Sequence, residues 1–242
     1  MELSVVHWFA SGILIISLIL SRILFVLPFF RLNESHKQDE QNIPDETIRK
    51  KIESLTNNKP LNAFIFLGSG GHTGEMLRLL QNFNEILLKS GAILHIGYSD
   101  DQSYQKFQNL VKGKKDINVQ YYHFVKAREV NAGLLQSLIS ITKTLITSLI
   151  HIITIKYKMI NKPHLVLLNG PGTCCIIALW FKIIDILLFF TSSNIIYVES
   201  LARINTLSMT GKILYLFADQ FVVQWEELIQ VAPRAKYFGI LV

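Results

Sequence analysis

From Leu61 onward, short apolar segments alternate with longer stretches of helical pattern, and this alternation constrains the fold of the 242-residue chain more than any other feature. Six segments are apolar on both faces, as expected for strands of a parallel sheet that helices cover on each side. They are Ala63–Leu67, Ile93–Tyr98, Val119–Val125, Leu165–Leu168, Ile195–Val198 and Phe221–Val223. The pattern predicts one α/β domain of Rossmann type over residues 61–242, with ligands at the carboxyl ends of its strands.

The segment from Leu3 to Phe30 is almost entirely apolar. As a helix it would reach roughly 40 Å, more than the roughly 30 Å hydrocarbon layer of a bilayer. No basic residue precedes the run, which disfavours a cleaved signal peptide. Residues 1–30 are therefore predicted to be a retained transmembrane anchor, in which Arg22 snorkels toward the headgroups. Lys and Arg near the anchor lie only on its C-terminal side, which predicts a single-pass protein with its globular domain in the cytosol.

Residues 31–60 are polar and are predicted to form a linker, in which the sequence from Pro44 to Leu55 can start a short amphipathic helix. Two later helical segments, Leu134–Ile155 and Cys174–Phe190, are unusually apolar. Burial against the sheet is favoured for both over contact with a membrane surface, although the two are compatible. The adjacent Cys174 and Cys175 are expected to be buried thiols, because a disulfide between neighbours is strained.

The segment Gly68–Met76 reads GSGGHTGEM and lies between the first predicted strand and a predicted helix. Its glycines allow a ligand to approach the backbone, and Thr73 is expected to cap the helix, whose free amide groups would bind an anion. The segment lacks the Gly-Lys-Ser/Thr ending of a P-loop, and its last glycine is one place late for the dinucleotide fingerprint. It predicts a phosphate site of another kind; a glycine-rich turn that binds nothing is the alternative.

Other candidate polar groups also follow predicted strands. Within Gly68–Met76, His72 can accept a proton from a sugar hydroxyl or pair with a phosphate, or it can make only a local hydrogen bond. Asn169–Thr173 forms a second tight turn at a helix start, suited to an anion or a sugar ring or simply to chain reversal. Lys126–Glu129 offers a cation and a carboxylate, for which a surface ion pair is the alternative. Glu199 can orient a hydroxyl or hold Arg203.

Several function classes are disfavoured. Tyr122 and Lys126 have a dehydrogenase-like spacing, but they lie in a predicted strand, where residues four apart do not meet as they do on a helix. No Asp-x-Asp pair for a divalent ion occurs, and the seven histidines are scattered, so no metal and no other cofactor is predicted. The net charge of +6 favours anionic lipids or phosphates as partners, whereas no basic and aromatic module suggests nucleic acid.

Seven segments together resemble one family: the membrane-anchoring subunit of the two-chain UDP-N-acetylglucosamine transferase of dolichol-linked oligosaccharide synthesis. They are GSGGHTGEM at residues 68–76, KAREV at 126–130, NGPGT at 169–173, YVESLARI at 197–204, LSMTGKILY at 207–215, ADQFVVQW at 218–225 and YFGILV at 237–242. That family is also similar to the acceptor-side half of the bacterial lipid-II glycosyltransferase.

The resemblance implies a split GT-B enzyme, in which this chain is the acceptor-side domain and a separate soluble chain is the catalytic, UDP-N-acetylglucosamine-binding subunit. After the anchor and linker, about one domain's worth of sequence remains, which leaves no residues for a second nucleotide-binding lobe. The implied reaction adds the second N-acetylglucosamine to a dolichol-diphosphate-linked acceptor at the cytosolic face of the endoplasmic reticulum membrane. The chain would be inactive without its partner, and other early enzymes of the dolichol pathway are further expected partners.

The resemblance also implies roles for residues. His72 is the candidate base, and Glu199 positions the acceptor sugar. The acceptor diphosphate is held by Gly68, Ser69, Gly70, Gly71, Thr73, Arg128, Asn169, Gly170, Gly172 and Thr173. The partner docks on Tyr237, Phe238, Gly239, Ile240, Leu241 and Val242, for which a final edge strand is the alternative. Two other functions stay open: a membrane scaffold that recruits the partner without contributing catalytic groups, and, more distantly, a membrane oxidoreductase that binds a dinucleotide.

Overall fold

The computed structural model describes residues 2–28, 61–114, 116–127, 134–160, 162, 164–188 and 192–242. The whole predicted linker, including its amphipathic helix, and the candidate residues Arg128 and Glu129 lie outside these ranges. The described part of the domain forms one seven-stranded parallel sheet in the order β3-β2-β1-β4-β5-β6-β7. This order confirms the predicted Rossmann-like α/β fold.

The strands are β1 Asn62–Leu67, β2 Ile93–Tyr98, β3 Asn118–His123, β4 His164–Asn169, β5 Asn194–Val198, β6 Gln220–Val223 and β7 Lys236–Tyr237. The described helices are α1 Glu2–Val26, α2 Gly71–Asn82, α3 Asn84–Leu87, α4 Asp101–Val111, α5 Leu134–Met159, α6 Thr173–Leu187, α7 Met209–Phe217 and α8 Leu228–Val231. The chain runs outward from β1 to β3 on one side and from β4 to β7 on the other. A topological switch point, where Rossmann-like folds bind ligands, therefore lies between β1 and β4.

Helices cover both faces of the sheet, as the doubly apolar strands predict. Phe64 and Phe66 of β1 point to one face, where they pack in the same core as α5, α6 and α7. Ala63, Ile65 and Leu67 point to the other face and pack in a core with α2 and α4. Because β1 is central and its side chains are fully buried on both faces, the loop that follows it is held rigidly.

The predicted strand Val119–Val125 ends two residues earlier than expected, at His123. Phe124 still donates its amide to the Tyr98 carbonyl at 2.8 Å, so the chain leaves the sheet gradually. The short parallel strand β7 lies at the sheet edge beside β6. Its Lys236 and Tyr237 form no apolar run, and only backbone pairing defines the strand.

Two helices are long and apolar enough to cross a membrane, over His7–Val26 in α1 and Gln136–Met159 in α5. Most of α1 is exposed, whereas α5 buries Ile152, Ile155 and Met159 completely in the core. The opposite side of α5 remains apolar and exposed, with Ile146 at 64% and Ile150 at 67%. The expectation that α5 packs against the sheet is thus confirmed for one side of this helix.

The last turn of α1 is docked on α6 instead of projecting freely. Val26 is fully buried, and the Arg22 guanidinium donates to the backbone carbonyls of Asp185 at 3.0 Å and Leu188 at 3.2 Å. Arg22 therefore has partners within the protein, in addition to the headgroups toward which it is expected to snorkel. Its side chain reaches the end of a neighbouring helix because that end offers unpaired carbonyl groups.

Candidate functional site

Two glycine-containing turns meet at the switch point, one after β1 and one after β4. The His72 ring packs directly against Gly170, whose φ of 105° is one that side chains other than glycine rarely adopt. On the other side, a Cβ atom at Gly68 would come within 2.7 Å of the Pro171 ring. The structure therefore brings together the candidate residues of segments 68–73 and 169–173, which are about a hundred positions apart in sequence.

The helix starts at this edge of the sheet are capped unequally. The N-caps of α2 and α6, Gly70 and Gly172, make no side-chain capping hydrogen bond. By contrast, Asp100 caps α4 by accepting from the Ser103 amide, and Ser208 caps α7 by accepting from the Gly211 amide. The two starts flank the switch point, so two positive helix ends lie at the same crevice. At α6 the Cys174 and Cys175 amides donate to the Pro171 and Gly172 carbonyls, at 2.9 Å and 3.0 Å, so only amides that precede Cys174 can serve a ligand there.

Thr73 has a different role from the helix cap that the sequence suggests. It lies in the third position of α2 and is only 1% exposed. Its hydroxyl donates inward to the Gly68 carbonyl and also meets the Ser103 hydroxyl at 2.6 Å; the Ser103 hydroxyl in turn donates to the same carbonyl at 2.8 Å. Since the C=O and N–H of a trans peptide point in opposite directions, this turns the Ser69 amide away from the interior.

Thr173 likewise faces the interior, because it is 2% exposed at the start of α6. Its hydroxyl accepts a hydrogen bond from the Ala127 amide at 3.1 Å. This contact holds the loop after β3 next to the switch point, and that loop carries the partly exposed Lys126. Thr73 and Thr173 therefore shape the crevice from behind, and neither hydroxyl is directed to solvent.

Glu75 is a site residue that the sequence reasoning missed. It lies in α2, one turn after His72, and is partly exposed. One carboxylate oxygen accepts from the Asn169 amide group at 2.9 Å and the other from the Ser200 hydroxyl at 2.8 Å. Glu75 thus connects the loops that follow β1, β4 and β5. Its position within GSGGHTGEM, on the same side of the helix as His72, was the available signal.

His72 is partly exposed at the mouth of the crevice. Its Nδ1 atom is buried and has no hydrogen-bond partner within the described residues. The amide oxygen of Asn169 is in the same situation. Buried polar atoms usually have partners in a folded protein, and a water molecule or a polar ligand in the crevice would supply them for these two atoms.

Glu199 is fully buried and uses its carboxyl group internally. It accepts hydrogen bonds from the Ser200 amide at 2.9 Å and from both the amide and the hydroxyl of Ser208, each at 3.1 Å. Gly211 packs so closely against this carboxyl group that any side chain there would collide with it. Glu199 therefore fixes the loop from Ser200 to Ser208 and the start of α7, and no atom of its side chain is exposed for a sugar.

Three groups next to this cluster are held in their protonated forms. Burial, followed by the nearby Glu199, raises the pKa of Tyr197. Burial also raises the pKa of Cys175 to about 11 and the pKa of Cys174 well above its usual value. Both cysteines are free; Cys174 is buried as expected and Cys175 is partly so. These thiols are consequently unreactive near neutral pH.

The C-terminal segment is half attached and half exposed. Tyr237 belongs to β7, while Phe238 and Ile240 are 59% and 55% exposed. Both backbone polar groups of Leu241 are hydrogen-bonded: its amide donates to Gln224 at 3.2 Å, and its carbonyl accepts from Asn82 at 2.9 Å. Gln224 also donates to the Glu199 carbonyl at 2.9 Å. The exposed part of the segment is therefore connected, through one side chain, to the loop after β5.

Within the described residues, no three His, Cys, Asp or Glu side chains come together as a metal site.

The family described as "Oligosaccharide biosynthesis protein Alg14 like" matches residues 63–241, which is most of the chain and all of the crevice just described. The chain belongs to this Alg14 family. The match confirms the family resemblance of the seven sequence segments.

Curated relatives are similar over nearly the whole chain. The UDP-N-acetylglucosamine transferase subunit ALG14 of Saccharomyces cerevisiae is 50% identical over 238 residues, covering 97% of this chain and 98% of the relative. The subunits of the same name in Candida glabrata and Kluyveromyces lactis are 54% and 46% identical, covering 76% and 94% of this chain and 79% and 94% of their own. A solved structure, of MurG from Acinetobacter baumannii, is 12% identical with a TM-score of 0.44, covering 68% of this chain and 41% of that protein. The family assignment therefore rests on the sequence relatives.

Proposed function

We propose that this chain is the membrane-anchored, acceptor-binding subunit of a UDP-N-acetylglucosamine transferase that acts in the synthesis of N-glycan precursors. The relatives that bear this name match it over nearly their full length. In this proposal α1 spans the endoplasmic reticulum membrane and the Rossmann-like domain faces the cytosol. A soluble catalytic subunit binds UDP-N-acetylglucosamine and completes the active site, as the second half of a GT-B enzyme. The acceptor is a dolichol-diphosphate-linked sugar, and other early enzymes of the dolichol pathway join the assembly.

The unequal capping of the helix starts is the observation that carries the acceptor site. The two long helices that flank the β1/β4 crevice lack a side-chain cap, whereas the helices that follow β2 and β5 have one. A diphosphate would receive hydrogen bonds from their free amide groups and from the outward-turned Ser69 amide. In this proposal it binds to the backbone of Gly68, Ser69, Gly70, Gly71 and Thr73 on one side and of Gly170, Gly172 and Thr173 on the other. Arg128, which lies outside the described residues, contributes positive charge.

The sugar of the acceptor would lie beside His72 and Glu75. Transfer requires the acceptor hydroxyl to attack the anomeric carbon of the donor sugar, while UDP leaves and the hydroxyl proton moves to a base. His72 is the candidate for this base, because it lies at the mouth of the crevice with one buried nitrogen unpartnered. The unpartnered amide oxygen of Asn169 can accept a hydrogen bond at the same place, while its NH₂ group already donates to Glu75 at 2.9 Å and to the Val198 carbonyl at 3.1 Å.

Glu75 is better placed than Glu199 to contact the acceptor sugar. Each oxygen of the Glu75 carboxylate accepts one hydrogen bond and retains capacity for a sugar hydroxyl, and the side chain is partly exposed. Its negative charge would repel a diphosphate at close range, so the carboxylate suits the sugar end of the ligand. We therefore assign contact with the sugar to Glu75, and we assign to Glu199 the positioning of the loop after β5.

Substitution of His72 distinguishes an active subunit from a scaffold. In a reconstituted complex with the catalytic subunit, we expect His72→Ala and the size-matched His72→Gln to lower kcat by about 10²- to 10⁴-fold, as for loss of a general base. Both variants should still co-purify with the partner, because His72 lies at the crevice and not on the exposed C-terminal segment. Normal turnover by an intact complex would instead support the scaffold that contributes no catalytic group.

A further inference from the structure

The C-terminal ends of α1 and α6 cap each other through two basic side chains. We name this contact the anchor joint and define it by Arg22 and Val26 of α1 and by Lys182, Asp185 and Leu188 at the end of α6. The last carbonyl groups of any helix lack partners inside that helix. At the anchor joint, each helix supplies the donor that the other helix needs.

Arg22 provides the first half of the joint. Its Nε atom donates to the Asp185 carbonyl at 3.0 Å, and one terminal nitrogen donates to the Leu188 carbonyl at 3.2 Å. A positive charge at this position is also stabilised by the negative end of the α6 dipole. Because a guanidinium group is planar and forked, these two bonds together fix both the distance and the rotation of α1 relative to α6.

Lys182 provides the second half, and its carboxylate partner belongs to the Rossmann-like domain. The side chain is buried, and its ammonium group contacts both carboxylate oxygens of Asp219, at 2.9 Å and 2.7 Å. Asp219 also accepts from the Ile195 amide at 2.8 Å, so the carboxylate is fixed by the sheet. The remaining direction of the ammonium group reaches the Val26 carbonyl at 3.2 Å, on the last residue of α1.

The joint and the crevice lie at opposite ends of the same rigid helix. α6 begins at Thr173 in the crevice and ends at Leu187 beside the joint, a length of about 20 Å for its 15 residues. Phe181 and Ile177 bury this helix in the core, and Asp185 is ion-paired with Lys156 of α5. Any rotation of α1 at the joint would therefore change the position of the crevice relative to the membrane.

We propose that Arg22 and Lys182 are positioning residues, which hold the membrane-spanning helix at a fixed angle so that the crevice keeps one height and orientation over the bilayer. This inference rests on the proposed function only in that the acceptor lies in that bilayer. A domain on a loose tether would spend part of its time facing away from the membrane. The apparent affinity for a membrane-bound ligand falls in proportion to the fraction of productive orientations.

An exchange of two neighbouring residues tests the joint without changing the composition of the membrane span. In the double variant Ser21→Arg with Arg22→Ser, the arginine keeps its depth but moves by about 100° around α1, away from α6. The variant and the original chain are assembled with the catalytic subunit in liposomes. Two acceptors are compared: a lipid-diphosphate sugar embedded in the bilayer, and a short-chain, water-soluble analogue of it.

If one orientation in ten remains productive, the exchange raises KM for the embedded acceptor by about tenfold and leaves kcat unchanged. KM for the soluble analogue should not change, because that acceptor reaches the crevice in any orientation. Arg22→Lys, which retains the charge but has a single donor nitrogen in place of the guanidinium fork, should give an intermediate KM. Equal KM values for the embedded acceptor in the exchanged and original chains would overturn the proposal, as would equal losses with both acceptors.

A distance measurement tests the joint independently of catalysis. Spin labels are attached to cysteines introduced at the exposed positions Ser17 in α1 and Gln102 in α4. The background carries Cys175→Ala, while the fully buried Cys174 is retained. In nanodiscs, the original chain should give one narrow distance distribution, and the exchange should broaden it. A distribution that is already broad in the original chain contradicts a fixed joint. If the original complex transfers no sugar, the proposed function fails, and the distance measurement still decides the joint.

Discussion

Among single residues, Glu199 is a buried carboxyl group whose hydrogen-bond partners all belong to its own domain. Two of its contacts, the Ser208 amide and hydroxyl, approach the same carboxylate oxygen. In Glu199→Gln, one carboxylate oxygen becomes an NH₂ donor. If this donor faces Ser208, it opposes the Ser208 amide and hydroxyl; if it faces Ser200, the hydrogen bond from the Ser200 amide is lost. Even the isosteric Glu199→Gln therefore leaves buried groups unsatisfied, which costs more than the loss of an exposed contact.

We expect Glu199→Gln to lower the free energy of unfolding by about 2–4 kcal/mol, as when a buried charged hydrogen-bonding group loses its partners. For a domain of this size, the loss corresponds to a fall in Tm of about 5–10 °C, measurable by thermal unfolding of the full chain in detergent. Glu75→Gln serves as the control, because Glu75 is partly exposed and should change Tm less. An unchanged Tm with a weakened acceptor interaction would return the sugar-positioning role to Glu199.

The two glycine-containing turns of the crevice, at residues 68–73 and 169–173, could be predicted from the sequence. Both turns follow directly after strands that the apolar pattern identifies. The pattern of local sequence did not reveal Glu75, because its partners Asn169 and Ser200 are 94 and 125 positions away. The same limitation applies to Thr73. Its residue type suits a helix cap, but its hydroxyl is turned inward by contacts with Gly68 and Ser103 of another element.

Among the structural elements, the C-terminal segment combines a fixed part with an exposed part. Leu241 and Val242 pack against the core on the α2 face of the sheet, whereas the Phe238 and Ile240 side chains point outward. Exposed aromatic and aliphatic side chains held on a rigid support are suited to burial in a protein interface. Truncation of the whole segment would also remove core contacts, so the exposed pair offers a cleaner test of partner docking.

We expect the double variant Phe238→Ser with Ile240→Ser to reduce co-purification of the catalytic subunit by at least about tenfold, as for the loss of two interface anchors. Thermal unfolding of the chain alone should not change. The control is Ile213→Ser in α7, which is 42% exposed on the other face of the sheet. Undiminished recovery of the partner with the double variant would refute docking on this segment, and the edge strand would then be its only described role.

Strands with strong apolar patterns were predicted within one or two residues. An edge strand near the C-terminus was only an alternative for residues 237–242, and the observed β7 ends at Tyr237. β2 was predicted with its observed ends, because both of its faces are buried and Gly91 and Ser99 lie just outside the apolar run. β7 has two residues and joins the sheet through backbone pairing with Val222 and Val223. A strand this short forms only because β6 offers a backbone edge to pair with. Two residues, Lys236 and Tyr237, are too few to show the alternating apolar pattern by which a strand is recognised.

For the whole molecule, the described domain presents one sheet, one switch point and one crevice beside a helix that can span a membrane. The proposed acceptor site lies in this domain, and the proposed donor site lies in another chain. Binding of the two substrates should consequently be separable. This separation is a property of the assembly and does not follow from any single residue.

We expect the purified chain alone to give no saturable binding of UDP-N-acetylglucosamine in calorimetric titration and no sugar transfer. The complex with the co-expressed catalytic subunit should show both. Complex formed with the His72→Ala chain provides the control, because it should bind the donor while transferring sugar poorly. Transfer by the isolated chain, in a preparation free of the second subunit, would contradict the division of the enzyme between two chains.

The anchor joint also has a consequence for biosynthesis. Arg22 and Asp185 are separated by 163 residues, so α1 leaves the ribosome long before its partner helix has been made. At about 5–20 residues per second, the interval is about 10–30 seconds. β1 must likewise wait for β4 before both of its edges are paired. The nascent chain is therefore already inserted in the membrane before the angle between α1 and the domain is fixed. That angle is fixed only once α6 has been synthesised and has docked against α1.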